Sequence, residues 1–189
     1  MVSGGQSFSN AASGERYHFL QTGAETDGQL VMMEDILPPG ADGPIPHYHP
    51  HQSERFIVRS GRLLVQLRDR SIVLEAGQEF TAMPGTPHKL SNAGTEELHL
   101  TVEMRPALRF AEFLETAAAL TWGENGRGRR FNLFEGALLM QEFGDEIKPT
   151  VPPEPLQRVI FPFLAVLGGL LGYRLPGRLP SAAIEQRIN

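Results

Sequence analysis

The chain has 189 residues, 41% of them hydrophobic, and a formal net charge of −5 at pH 7. That length supports one solid core with accessory structure, and an acidic balance with no basic cluster beyond Arg127, Arg129 and Arg130 excludes a phosphate-backbone partner such as nucleic acid. Cysteine is absent, which excludes disulfides, thiol catalysis and zinc-thiolate sites.

The opening MVSGGQSFSNAASG is small and polar, with neither a basic n-region nor an apolar h-region. Residues 1–13 are therefore expected to be a flexible leader on a cytoplasmic protein. From Arg16 to Met104, short runs alternating apolar and polar residues are punctuated by Gly and Pro about every ten residues, the pattern of a sandwich or barrel. The predicted strands are Arg16–Leu20, Gln29–Leu37, Ile45–His49, Glu54–Ser60, Arg62–Leu67, Ser71–Glu75, Glu79–Met83, His88–Ser91 and Glu97–Met104. In the last, Leu98, Leu100, Val102 and Met104 share one face and leave His99 on the other. Phe56 and Val58 share the parity of Glu54 and are expected inside.

After Pro106 the period becomes helical. Pro106 suits a first helical position, and Phe110, Phe113, Leu114, Ala117 and Leu120 recur at spacings of three and four. A glycine-rich link, Gly123–Gly128, follows, and the nearby arginines read as a solvated loop. Asn132 with Glu135 three residues on resembles a capping box, and Thr150–Pro155 reads as a stiff linker. Leu156–Leu175 is strongly apolar, but its run from Val159 to Tyr173 is shorter than the roughly 18 to 20 residues of a membrane span, so a buried helix is expected. Residues 106–189 are thus a helical extension that packs on the barrel or on a second subunit.

Chemistry concentrates in two stretches, HYHPHQSE and PGTPHKLSN. His47 and His49, at i and i+2, point to one face of a strand. Glu54 follows a short loop, and His88 approaches from a distant strand. Three imidazoles and a carboxylate suit iron, manganese, nickel, cobalt or zinc, and on an octahedral ion they leave two positions open.

These residues resemble the cupin superfamily. His47-x-His49-x4-Glu54-x6-Gly61 reproduces the core of its first signature, G(X)5HXH(X)3,4E(X)6G. Gly77, Gly85, His88 and Asn92 fall on the second, G(X)5PXG(X)2H(X)3N. The resemblance covers roughly the first 105 residues and departs from the pattern twice. Gly40 is one residue early and Gly43 two late for the opening glycine, and Met83 holds the proline position. The resemblance implies a mainly β fold over residues 14–105, a double-stranded β-helix or jelly-roll barrel, with His47, His49, Glu54 and His88 binding a metal inside it; of the divalent transition metals that suit this donor set, iron is the one expected first. It also adds weight to self-association as a homodimer.

The remaining histidines carry no such pattern. His18 and His99 read as structural or exposed, and His51, beyond Pro50, points to the barrel mouth. Asn92 reads as a turn former, and the orientation of Gln66 depends on which face of its strand is interior. His51, Tyr48 and Glu79 are the available acid or base groups, though each fits a mouth, surface or turn position better. The leading expectation is a non-haem metal-dependent oxygenase acting on a small organic molecule. The alternatives are a redox-neutral isomerase, lyase or cyclase, and a non-catalytic module that binds a small ligand.

Overall fold

A computed structural model describes residues 2–123, 127–177, 179 and 183–185. The chain order is β1 (Ser7–Ser9), β2 (Arg16–Gln21), β3 (Val31–Leu37), β4 (His47–Tyr48), β5 (Ser53–Ser60), β6 (Arg62–Leu67), β7 (Ser71–Glu75), β8 (Glu79–Ala82), β9 (His88–Asn92) and β10 (Leu98–Arg105), then α1 (Phe110–Leu120), α2 (Leu133–Glu142), β11 (Lys148–Pro149), α3 (Glu154–Leu170) and β12 (Ile184–Glu185). Part of the Gly123–Gly128 link, residues 124–126, lies outside the described residues.

The strands form two antiparallel sheets, ordered β12-β1-β2-β3-β10-β5-β8 and β11-β4-β9-β6-β7. Neighbours distant in sequence, such as β3 beside β10 and β4 beside β9, interleave the two halves of the barrel in double-stranded β-helix fashion. The inner faces carry the core. Alternation places Val31, Met33 and Leu37 of β3, Phe56 and Val58 of β5, Leu63 and Val65 of β6, and Leu98, Leu100, Val102 and Met104 of β10 out of solvent. Each large side chain so buried contributes about 1.5–3 kcal/mol. Gln66 consequently faces outward, and His99 is half-buried on the outer face of β10.

Several elements differ from the expected bounds. Ser7–Ser9, inside the stretch read as a leader, pairs with β2 through Phe8↔Tyr17 because Phe8 packs against the tilted Tyr17 ring and stacks on Phe19. The strand expected over Ile45–His49 is only His47–Tyr48, between prolines that supply no donor. Pro106 precedes the first helix rather than opening it, and helical backbone begins at Phe110. The predicted capping box forms at α2, with the Asn132 side chain accepting from Phe134 and Glu135 while Glu135 accepts from the Asn132 amide. Arg129 is not simply solvated, since it makes a two-pronged contact with the Glu135 carboxylate at 2.8 Å.

The C-terminal segment is woven into the barrel. β11 adds an outer strand to the five-stranded sheet, with Pro149 opposite His47 and Lys148 opposite Tyr48. The fully buried Gln52 amide donates to the carbonyls of Pro106 and Ala107. α2 and α3 pack as a hairpin, with Gly168 close against Phe134 and Phe134 stacked on Tyr173. No helix among the described residues is long and apolar enough to cross a membrane.

Gly61 makes the turn between β5 and β6 with φ of 85°, and a Cβ there would lie 2.8 Å from the Glu97 carbonyl oxygen. The left-handed backbone and the close approach both demand glycine. Gly61→Ala is expected to destabilise the fold by about 2–3 kcal/mol in urea denaturation; a midpoint equal to wild type would contradict the turn geometry.

Candidate metal centre

His47 and His88 occupy directly opposed positions on β4 and β9 of one sheet, and Glu54 stands at the start of β5 in the other. His49 lies one residue beyond β4, on the same side as His47. One nitrogen from each imidazole and one Glu54 oxygen all fall within 4.8 Å of one another, and all four residues are buried. The residues paired by motif spacing are therefore brought together as expected.

The outward nitrogens explain how the rings are aimed. His47 Nδ1 lies 2.8 Å from the Ile45 carbonyl, His88 Nδ1 lies 2.9 Å from the Thr86 carbonyl, and His49 Nδ1 meets the Glu146 carbonyl. A carbonyl oxygen only accepts, so each Nδ1 carries the proton and, in the neutral ring, each Nε2 presents a lone pair to the centre. There the lone pairs meet a carboxylate. His88 Nε2 is 2.9 Å and His49 Nε2 3.0 Å from the same Glu54 oxygen. The His49 approach lacks hydrogen-bond alignment, leaving its buried Nε2 without a hydrogen-bond partner. Facing acceptors this close require a positive charge between them, either an added proton or a cation.

The electrostatics agree. Burial opposes charge on Glu54, but the His49 and His88 imidazoles outweigh it and hold the carboxyl well below its ordinary value. Burial and the neighbouring His88 push His47 down to about 4, which keeps it neutral and able to donate a lone pair at pH 7. For His88, burial favours the neutral ring, yet hydrogen bonding to Glu54 prevails and raises its pKa. One anionic oxygen donor and three imidazoles in a dry pocket fit a divalent transition ion.

The wall of the site is aromatic. Phe56 lies against His88 and Phe110 of α1 against His49, at centroid distances of 5.9 and 5.7 Å. Phe110, Phe113 and Phe143 continue as a row of tilted and edge-on ring contacts across α1 and the end of α2. Arg109 covers Phe143 at 4.8 Å and pairs with Glu112 and Glu142, while its backbone N–H donates to Glu146. The segment that supplies the His49 carbonyl is thus pinned to α1.

The other candidates lie elsewhere. His51 is exposed, 3.7 Å from Asp145, and Glu79 pairs with Arg55 at the surface. His18 contacts Ser7 at 2.7 Å. The Asn92 amide donates to the carbonyls of Leu37, Pro38 and Glu96, tying three chain segments together.

A polar group marked by no motif lies on the buried faces of β2 and β3. Tyr17 and Asp35 are opposed across the strands, the buried Glu15 carboxyl acts electrostatically on both, and Asp35 Oδ1 has no hydrogen-bond partner. The signal for it in the sequence is an acid on the apolar parity of β3, alternating with Val31, Met33 and Leu37.

Residues 33–103 match the family described as Cupin domain. The interleaved sheets and the inward His/Glu group lie largely within that segment, and residues 33–103 form a cupin domain. "Oxidoreductase OpS7" of Beauveria bassiana (strain ARSEF 2860) is 37% identical over 78 residues, 38% of this chain and 26% of that protein. The chain thus spans about a quarter of the length of this curated relative. Among solved structures, an RmlC-like cupin from Shewanella frigidimarina is 21% identical, with 55% of this chain and 86% of that one covered and a TM-score of 0.47. A predicted oxalate decarboxylase from Thermotoga maritima is 18% identical, with 56% and 99% covered and a TM-score of 0.48.

Burial pushes the carboxyls of Glu15 and Asp35 up, and for Asp35 the neighbouring Glu15 adds to the shift. A carboxyl raised in the folded state binds its proton more tightly there than in the unfolded chain, so stability is full below the ordinary carboxylate pKa near ~4 and falls as pH rises through the folded value. Asp35→Asn is expected to flatten this decline above about pH 4 and to raise stability at pH 7 by about 1–2 kcal/mol. Urea titrations across that range test it, and a variant as pH-sensitive as wild type would refute it.

Proposed function

We propose that the protein is a non-haem metal-dependent oxygenase acting on a small organic molecule, with His47, His49, Glu54 and His88 as ligands of a divalent iron. The observation that carries the metal assignment is the set of Nε2 lone pairs turned by backbone carbonyls onto one carboxylate oxygen, with His49 Nε2 lacking a hydrogen bond. A relative named as an oxidoreductase supports the redox reading over a hydrolytic or purely structural one.

A ferrous ion so held would supply one-electron chemistry towards dioxygen and a Lewis acid for a substrate that binds through oxygen. The chain supplies the rest. Glu54 contributes the negative charge of the donor set, and the carbonyls of Ile45, Thr86 and Glu146 fix ring tautomer and direction. Phe56, Phe110 and Phe113 exclude bulk water and favour an apolar substrate body, and Phe110 together with the Glu146 carbonyl closes the His49 side of the site. The side chains that flank the ligand rings, Phe56 and Phe110, carry no titratable group of the kind a lyase or isomerase would use as acid or base.

The test is elemental analysis of tag-free protein purified without metal resin, beside His49→Ala. Near-stoichiometric iron in wild type and loss of most of it in the variant are expected, at roughly 10–100-fold weaker metal affinity or more. Oxygen-electrode screening of small molecules with two adjacent oxygen donors should then show uptake that the variant lacks. Zinc, nickel or manganese without oxygen uptake would reassign the site to redox-neutral chemistry, and undiminished metal in the variant would overturn the ligand set.

A further inference from the structure

α3 packs on α2 through Gln157, Ala165 and Gly168, which are buried, yet its opposite face is also apolar. Leu156, Val159, Phe163, Val166 and Leu170 are 48, 68, 67, 66 and 81% exposed. They recur at spacings of three, four, three and four, the seam by which one helix packs along another. No residue between Arg158 and Arg174 is charged. Leu171 and, at the adjoining start of α2, Leu133 widen the patch at 61 and 65% exposure.

We propose that this face is the interface of a homodimer, with α3 packed antiparallel on α3 of a second copy about a twofold axis at Phe163. The stripe is symmetric about that residue, with a leucine seven positions away on either side, as an isologous contact requires. With about 150–200 Å² per side chain, the five stripe residues and Leu171 together expose roughly 700 Å². That exceeds the ~300–600 Å² of the largest patch on a typical monomer, and pairing two copies buries about 1,400 Å², within the ~1,200–2,000 Å² of a stable interface.

Charge disfavours a lipid surface. A helix lying on a bilayer carries lysine and arginine along its polar face, whereas the face of α3 opposite the stripe is covered by α2. Arg158 is paired with Glu154 at 3.1 Å and Arg174 is held by the carbonyls of Gly169 and Tyr173. The net charge of −5 opposes approach to anionic headgroups. This proposal is independent of the metal assignment.

Light scattering on the eluting full-length protein should give twice the 20.8 kDa chain mass. Phe163→Glu and Val166→Glu should each halve the mass with the far-UV circular dichroism spectrum unchanged. Since the chain has no cysteine, Phe163→Cys places a single thiol at the axis and should give a disulfide-linked dimer on oxidation. Val73→Cys, on exposed β7, should not, and this pair decides the matter if the glutamate variants fail to fold. A dimer that survives Phe163→Glu, or a monomeric wild type with no crosslinking at position 163, overturns the proposal. Monomeric protein that floats with phosphatidylglycerol vesicles, and loses flotation in Phe163→Glu, overturns it in favour of lipid.

Discussion

Burying a carboxylate among three imidazoles is the constraint on which this structure turns. A lone buried anion is unstable, and Glu54 keeps its charge because positive charge, from proton or metal, is accommodated between its oxygen and the facing nitrogens of His49 and His88. Both sheets are committed to that arrangement. One supplies the opposed pair His47 and His88, the other supplies Glu54, and the closure of the barrel brings them together.

The backbone does as much of this work as the side chains. Three carbonyls from three separate stretches hold the imidazoles by their outer nitrogens, and a carbonyl can do so whatever residue carries it. That is why Glu146, although it orients His49, leaves no trace as a motif: its peptide oxygen serves the ring and its carboxylate serves the Arg109 amide. The region beyond residue 105 is thus continuous with the barrel in physical terms. β11, the Gln52 contacts and Phe110 all join it to the walls of the site.

What could be read in advance followed from period and spacing. Alternation identified β10 and the inward parity of Phe56 and Val58, and the motif spacing identified the four clustered side chains. Asn132 and Glu135 announced their cap because both partners lie within one helical turn. Contacts between distant segments were not legible. β1 depends on Phe8 meeting Tyr17 and Phe19, and β11 on a two-residue register beside His47. Glu15 and Asp35 were also hidden, because a carboxyl on an apolar parity looks like an interruption until the opposite strand shows Tyr17 beside it. The apolar composition of α3 suggested a buried helix, and only the packing with α2 revealed which half of it is left uncovered.

The Glu146 carbonyl lies 97 residues along the chain from the ring it orients, and this has a consequence for biosynthesis. A barrel emerging from the ribosome can pair β5 with β10 once residue 105 is free, but His49 then has no partner for its outer nitrogen. The site is completed only after the second helix and the strand beside His47 have been translated and docked, a long-range closure of the kind that slows folding. The orientation of His49 that completes the four-residue cluster is therefore reached only once the chain has been extended past Glu146 and β11.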